Sequence, residues 1–169
     1  ATLAGNLAWD GQTLTAGPID ASLSDAKAAG LTLGPSTLIA QRLVYSPSAQ
    51  KLELEALKLA VSGKQGWGGF GASIEWPQLA VDGEQLTGSG FSGRINLDGK
   101  TTLAGTFESG APSGNFEALR LPAFALKLNG SSGPRKIDGQ LKSNLLLRPG
   151  RSAATLERLE LRANIAEPG

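Results

Sequence analysis

Cysteine, histidine and methionine are all missing from this 169-residue chain, and each absence removes a class of chemistry. Without cysteine there is no disulfide to staple the fold and no thiolate to hold a metal. Without histidine the commonest general base and the commonest metal ligand are gone. Methionine is missing even at position 1, so the chain reads as a single β-rich domain, residues 1–169, from the interior of a longer protein. Aromatic residues make up only 5% and the formal net charge is +1, with no clustered basic face of the kind nucleic acid requires. No uninterrupted apolar run approaches the roughly 18 residues that a membrane-spanning helix needs.

What is present is apolar, glycine-rich and repetitive. Hydrophobic residues make up 40% of the chain against 18% charged, a balance that favours a folded core over disorder. Glycine, at 23 residues, suits a sheet with many turns better than a helical bundle. Leu52-x-Leu54-x-x-Leu57-x-Leu59-x-Val61 recurs as Leu119-x-Leu121-x-x-Phe124-x-Leu126-x-Leu128, with a near relative in Leu156-x-x-Leu159-x-Leu161-x-Ala163-x-Ile165. Alternation of period two predicts strands. Leu54, Leu57 and Val61 also satisfy a helical face, but the middle copy carries Pro122 without any change of spacing, and proline would break a helix. The x-x step therefore marks a bulge or kink, at which the apolar face is expected to flip. The charges among the repeats, such as Lys51, Glu53, Glu55 and Lys58, read as a solvated face.

Asp10-Gly11, Asp82-Gly83, Asp98-Gly99 and Asp138-Gly139 read as turns, where aspartate bonds nearby backbone amides. Ala26 to Gly30 reads as a helical turn or a loop, and Gly63 to Gly71 as a flexible loop presenting Trp67 and Phe70. Phe91 to Phe107 is the clearest hairpin. A three-residue loop over Asp98, Gly99 and Lys100 places Ile95 opposite Leu103 and Phe91 opposite Phe107, with Gly99 at positive φ. Further loops are expected at Ser109 to Gly114 and Ser131 to Pro134, and a last strand pair is joined at Arg148-Pro149-Gly150. The whole predicts an all-β fold of about ten to twelve short antiparallel strands, in a curved or folded-over sheet that forms a groove or a sandwich.

Nothing in the chain reads as an enzyme. Asp82 and Glu84 flank a turn in water rather than forming an acid–base pair. Ser89-Gly-Phe-Ser-Gly93 departs from a nucleophile elbow and has no histidine to serve it. Gly66 to Phe70 lacks the Lys and Ser/Thr of a phosphate loop. No cofactor, metal ligand set or catalytic residue is assigned.

In the segments Leu52 to Gly63, Leu119 to Gly130 and Leu156 to Ile165, and in Gly93 to Gly99, the chain resembles the AsmA family of bacterial envelope proteins. That resemblance implies a parent protein anchored in the inner membrane and projecting into the periplasm of a Gram-negative bacterium. It also implies a role in outer-membrane assembly, with assembly components as partners, and an elongated β groove that carries phospholipid. The residues expected to line such a groove are Ile95, Leu97, Leu103, Phe107, Phe124, Leu126 and Leu128. The competing expectation is a structural or adhesin-like β-sandwich whose apolar faces pack on each other. A groove would leave a large apolar patch and open sheet edges prone to self-association.

Overall fold

The computed structural model describes residues 1–24, 26–28 and 31–166. Alternating apolar residues and turn-forming glycines produce fifteen strands. They are β1 (Thr2–Trp9), β2 (Leu14–Leu23), β3 (Ala26–Ala28), β4 (Leu31–Leu33) and β5 (Ser36–Ala40). Then follow β6 (Arg42–Ser46), β7 (Lys51–Gln65), β8 (Gly68–Asp82), β9 (Gln85–Gly88) and β10 (Phe91–Gly99). The last are β11 (Thr101–Ser109), β12 (Ser113–Asn115), β13 (Leu119–Ser132), β14 (Arg135–Arg148) and β15 (Ala153–Ala166). All belong to one curved, wholly antiparallel sheet.

The fifteen strands run along ten lines. β3 continues β2, and β4, β5 and β6 follow one another, in an unbroken register from Leu14↔Tyr45 to Ala26↔Leu33. β9 and β10 likewise share a line opposite β11 and β12. Each line pairs with the next in a plain meander, and the strand count exceeds expectation because four of these lines are interrupted.

Three of the interruptions, at Gln41, Ser89 and Gly110, coincide with the backbone bulges at one level and form a crease across the sheet. Ala56, Ala123 and Arg158, the second x of each x-x step, are left-handed at φ 50, 50 and 55. The expected bulge is therefore present, but the expected flip of the apolar face is not. β1 and β14 cross the crease in unbroken alternation and act as rulers. Along β14, Leu141, Ser143, Leu145 and Leu147 share a face, and they pair with Leu126, Phe124, Leu121 and Leu119 of β13. Along β1, Gly5 pairs with Ile19 and Leu7 with Ala16. The extra residue in the neighbouring strands shifts sequence parity so that the side chains stay on one face.

The crease is fastened by small polar side chains that bond the backbone groups the ladder releases. Ser89 Oγ accepts from the Gln78 amide at 3.0 Å, and Ser109 Oγ donates to the Pro122 carbonyl at 3.2 Å. Asn144 Oδ1 accepts from Ala123 N at 3.0 Å, and the buried Ser143 Oγ donates to the Glu157 carbonyl at 2.9 Å. Pro18, Pro77 and Pro122 sit at this level, where a missing N–H costs the ladder nothing.

Several local expectations change. Asp10-Gly11 and Asp82-Gly83 are turns, with Gly11 at φ 98 and Gly83 at φ 58. Asp138-Gly139 lies inside β14, and the turn before it is at Gly133, φ 58. Gly63 to Gly71 is strand apart from a tight turn after Gln65, so Phe70 belongs to β8 and only Trp67 is presented by the turn. Ala26–Ala28 is a strand, while residues 29 and 30 lie outside the described residues. In the Phe91 to Phe107 hairpin, Ile95 pairs with Gly105, Leu97 with Leu103 and Phe91 with Ser109. This is two residues beyond the expected register, and Gly99 is not at positive φ. Gly99 instead pairs with Gly68, because β8 extends the ladder to the tip of the hairpin. A slip of two residues preserves the face, so the apolar set is unchanged.

Candidate functional site

The candidate site is the apolar face itself. Across the longer side of the crease, register alone aligns Leu59, Ile74 and Gly93, then Phe107, Leu126, Leu141 and Leu161, from β7 to β15. A second row aligns Val61, Ala72, Ile95, Gly105, Leu128, Gly139 and Ala163. Across the shorter side run Leu43, Leu54 and Leu79, with Tyr45, Leu52, Val81 and Leu86 beside them. The opposite face carries Lys58, Glu75, Ser92, Glu108 and Lys142, among others, and two ion pairs. Arg42–Glu55 (3.1 Å) and Lys51–Asp82 (2.9 Å) join adjacent strands there.

All seven residues expected to line a groove fall on the apolar face, on three neighbouring lines, and all are half-buried. Leu97 faces Leu103, and Phe107 faces Leu126. Ile95 and Leu128 close over Gly105, where a Cβ would lie 3.2 Å from Ile95 Cγ1 and 2.6 Å from Leu128 Cδ2. The ring of Phe107 covers Gly93 in the same way. Gly93 and Gly105 are therefore gaps into which a neighbour's side chain leans. Phe124 stands beside the crease, opposite Ser143. Sequence reasoning missed the aromatic cluster next to it. Trp76 and Phe91 have ring centroids 4.9 Å apart, and Phe91 and Phe107 meet edge-on at 6.4 Å. Trp76 Nε1 donates to the Ser89 carbonyl at 3.1 Å, so its polar edge is satisfied and its ring stays with the apolar set. The same-face spacing Trp76-x-x-Leu79 was the available signal.

Among the described residues no second layer covers this face. All fifteen strands are in one sheet, and β1 and β15 each pair with a single neighbour, so the sheet does not close. The chain exposes 11010 Å². A closed globular monomer of its 17.4 kDa exposes about 7,900 Å². The difference, roughly 3,000 Å², is the area a closed core would have removed from water. Among the described residues no large side chain is fully buried, and Leu161 and Ile165 remain 64% and 63% exposed.

The polar groups singled out in the sequence serve the fold. Asp82 is engaged by Lys51, whose ammonium is held above its ordinary range by that carboxylate. Asp10 Oδ1 accepts from the amides of Gln12 (2.9 Å) and Thr13 (2.7 Å), which hold its carboxyl below the ordinary range. Ser89 is tied into the crease. Among the described residues no cluster of three or more acidic residues could hold a metal ion.

Comparison with protein-family models, with curated proteins and with solved structures finds no match to this chain. The functional argument therefore rests on the face and its chemistry.

Proposed function

We propose that the chain is a non-catalytic lipid-shielding module whose apolar face covers the acyl chains of phospholipid. The reading includes the setting that the AsmA-like repeat grammar implies: the periplasm, a parent protein anchored in the inner membrane, and a part in outer-membrane assembly. One observation carries it: an apolar face continuous over all ten lines and both sides of a crease, left open by a sheet with no second layer. Ten lines span roughly 43 Å at about 4.8 Å per interval, wide enough for acyl chains to lie on the surface. Each methylene removed from water contributes about 0.8 kcal/mol and asks for no specific polar contact, which suits a surface whose side chains are almost wholly hydrocarbon.

The test is mass spectrometry of organic extracts from protein purified without detergent, beside a closed β-sandwich control. Stoichiometric phospholipid, lost in Leu126→Asp and Leu103→Asp variants that keep their β circular dichroism, is the expected result. Lipid-free, monodisperse wild-type protein would contradict the proposal and favour a structural module.

A further inference from the structure

We infer that the head group of a bound phospholipid sits at the rim formed by the β7–β8, β10–β11 and β13–β14 turns, with its acyl chain running from there towards the crease. The inference rests on the lipid reading and gives it a direction. The lines from β7 to β14 are each paired on both sides, so this rim is made of turns and not of free strand edges.

The two ends of these lines differ in charge. At the end of the longer side, residues 64–69, 98–102 and 131–136 carry Lys64, Lys100, Arg135 and Lys136 against Asp98, all of them exposed. At the end of the shorter side, residues 51–52, 81–86, 114–120 and 147–148 carry Lys51, Arg120 and Arg148, balanced by Asp82, Glu84 and Glu117. The apolar face also finishes differently. On the shorter side its last row is apolar throughout, across Leu52, Val81, Leu86, Gly114, Leu119 and Leu147. On the longer side the row of Phe70, Leu97, Leu103 and Ile137 gives way to one that holds Gln65, Thr101, Ser132 and Arg135. Thr101 Oγ1 donates to Ser132 Oγ at 3.1 Å, which leaves the Ser132 hydroxyl hydrogen for an acceptor such as a phosphate oxygen. Trp67 marks the boundary. Its ring centroid lies 6.4 Å from that of Phe70, and its Nε1 donates to Gln65 Oε1 at 2.9 Å. An indole with hydrocarbon on one side and polar groups on the other suits the level where head groups meet acyl chains.

Length gives the same direction. From Trp76 to Phe70 on β8 the longer side offers about 20 Å of apolar strand, whereas Leu79 to Val81 on the shorter side offers about 7 Å. Half the hydrocarbon core of a bilayer is about 15 Å thick, so a chain headed at the rim ends before the crease. The excess of positive charge favours a head group of net negative charge over a zwitterionic one.

The test uses a single-chain phospholipid below its critical micelle concentration, with a quenching nitroxide on the head group or at the chain end. The protein carries bimane at Leu97→Cys, near the rim, or at Leu126→Cys, nearer the crease. The head-group nitroxide should quench position 97 more than 126, and the chain-end nitroxide should do the reverse. Equal or inverted ratios from lipids that do quench would overturn the inference and leave the lipid reading standing. Quenching by neither lipid would overturn both. In competition, an unlabelled lipid with an anionic glycerol head should bind more tightly than one with a choline head. Lys100→Glu/Arg135→Glu should weaken the glycerol lipid about tenfold, and Arg120→Glu/Arg148→Glu, the same change of charge at the other end, less than about twofold. Equal losses in the two variants would overturn the assignment of the rim. Inorganic phosphate at the lipid concentration should displace neither lipid, and displacement would make the rim a site for free phosphate instead.

Discussion

Gly105 and Ala104 are adjacent on β11 but face opposite sides, so the same substitution at each measures the two faces against one another. A side chain at Gly105 would place its Cβ 2.6 Å from Leu128 Cδ2, 2.9 Å from the Lys127 carbonyl oxygen and 3.2 Å from Ile95 Cγ1. The leucine tip can rotate away, but the carbonyl belongs to the adjacent strand and moves only if β13 moves. Valine adds two further methyl groups to the same crowded point. Overpacking of this kind costs about 1–3 kcal/mol, and for a chain of this size that lowers Tm by roughly 2–12 °C. Ala104 pairs with Asn96 and Asn129 on the polar face and is exposed, so Ala104→Val gains β propensity without a clash. Thermal unfolding followed by circular dichroism should place Gly105→Val well below wild type and Ala104→Val at or above it. A Gly105→Val protein as stable as Ala104→Val would mean that Ile95 and Leu128 do not meet over Gly105, and the apolar rows as described would be wrong.

Three further outcomes follow from the crease and the first turn. Ala123→Val forces a β-branched residue into the left-handed region at φ 50 and should cost about 1–2 kcal/mol by denaturant unfolding, whereas Ala123→Gly should cost nothing comparable. Ser143→Ala leaves the Glu157 carbonyl without its 2.9 Å donor at a buried site, with an expected loss of about 1–2 kcal/mol in the same assay. The Asp10 carboxyl is held below its ordinary value in the folded state, so the stability it contributes is present above its unfolded pKa, about 3.9, and is lost as pH falls through the lower folded value. Asp10→Asn should flatten that acid limb of a Tm-against-pH curve by lowering Tm at neutral pH, and leave the most acidic region, where Asp10 is already neutral, little changed.

The strands and the common face were legible because alternation of period two survives errors of register by two, as the Phe91 to Phe107 hairpin shows. The bulge positions were legible too, since three copies of one spacing, one of them containing Pro122, leave little but a bulge. The sense of the bulge was not. Whether an extra residue flips or preserves a face depends on the strand beside it, and only the regular alternation of β1 and β14 settles that. Glycine was ambiguous for a physical reason. Gly11 and Gly83 supply positive φ in turns, while Gly93, Gly105 and Gly139 supply a missing side chain within a face, and the Asp-Gly dipeptide reads the same in both roles. The Ser and Asn fasteners of the crease act across strands more than ten residues apart in sequence, and no local pattern announces them.

The central claim is a single apolar face, open to the outside and able to take acyl chains. The most direct measurement places an environment-sensitive bimane label through Leu97→Cys or Leu126→Cys on that face, and through Asn96→Cys or Lys127→Cys on the other. Each labelled protein is then titrated with a phospholipid below its critical micelle concentration. A saturable blue shift at positions 97 and 126, with none at 96 and 127, is the result predicted. Equal shifts on both faces, or none on either, would contradict it.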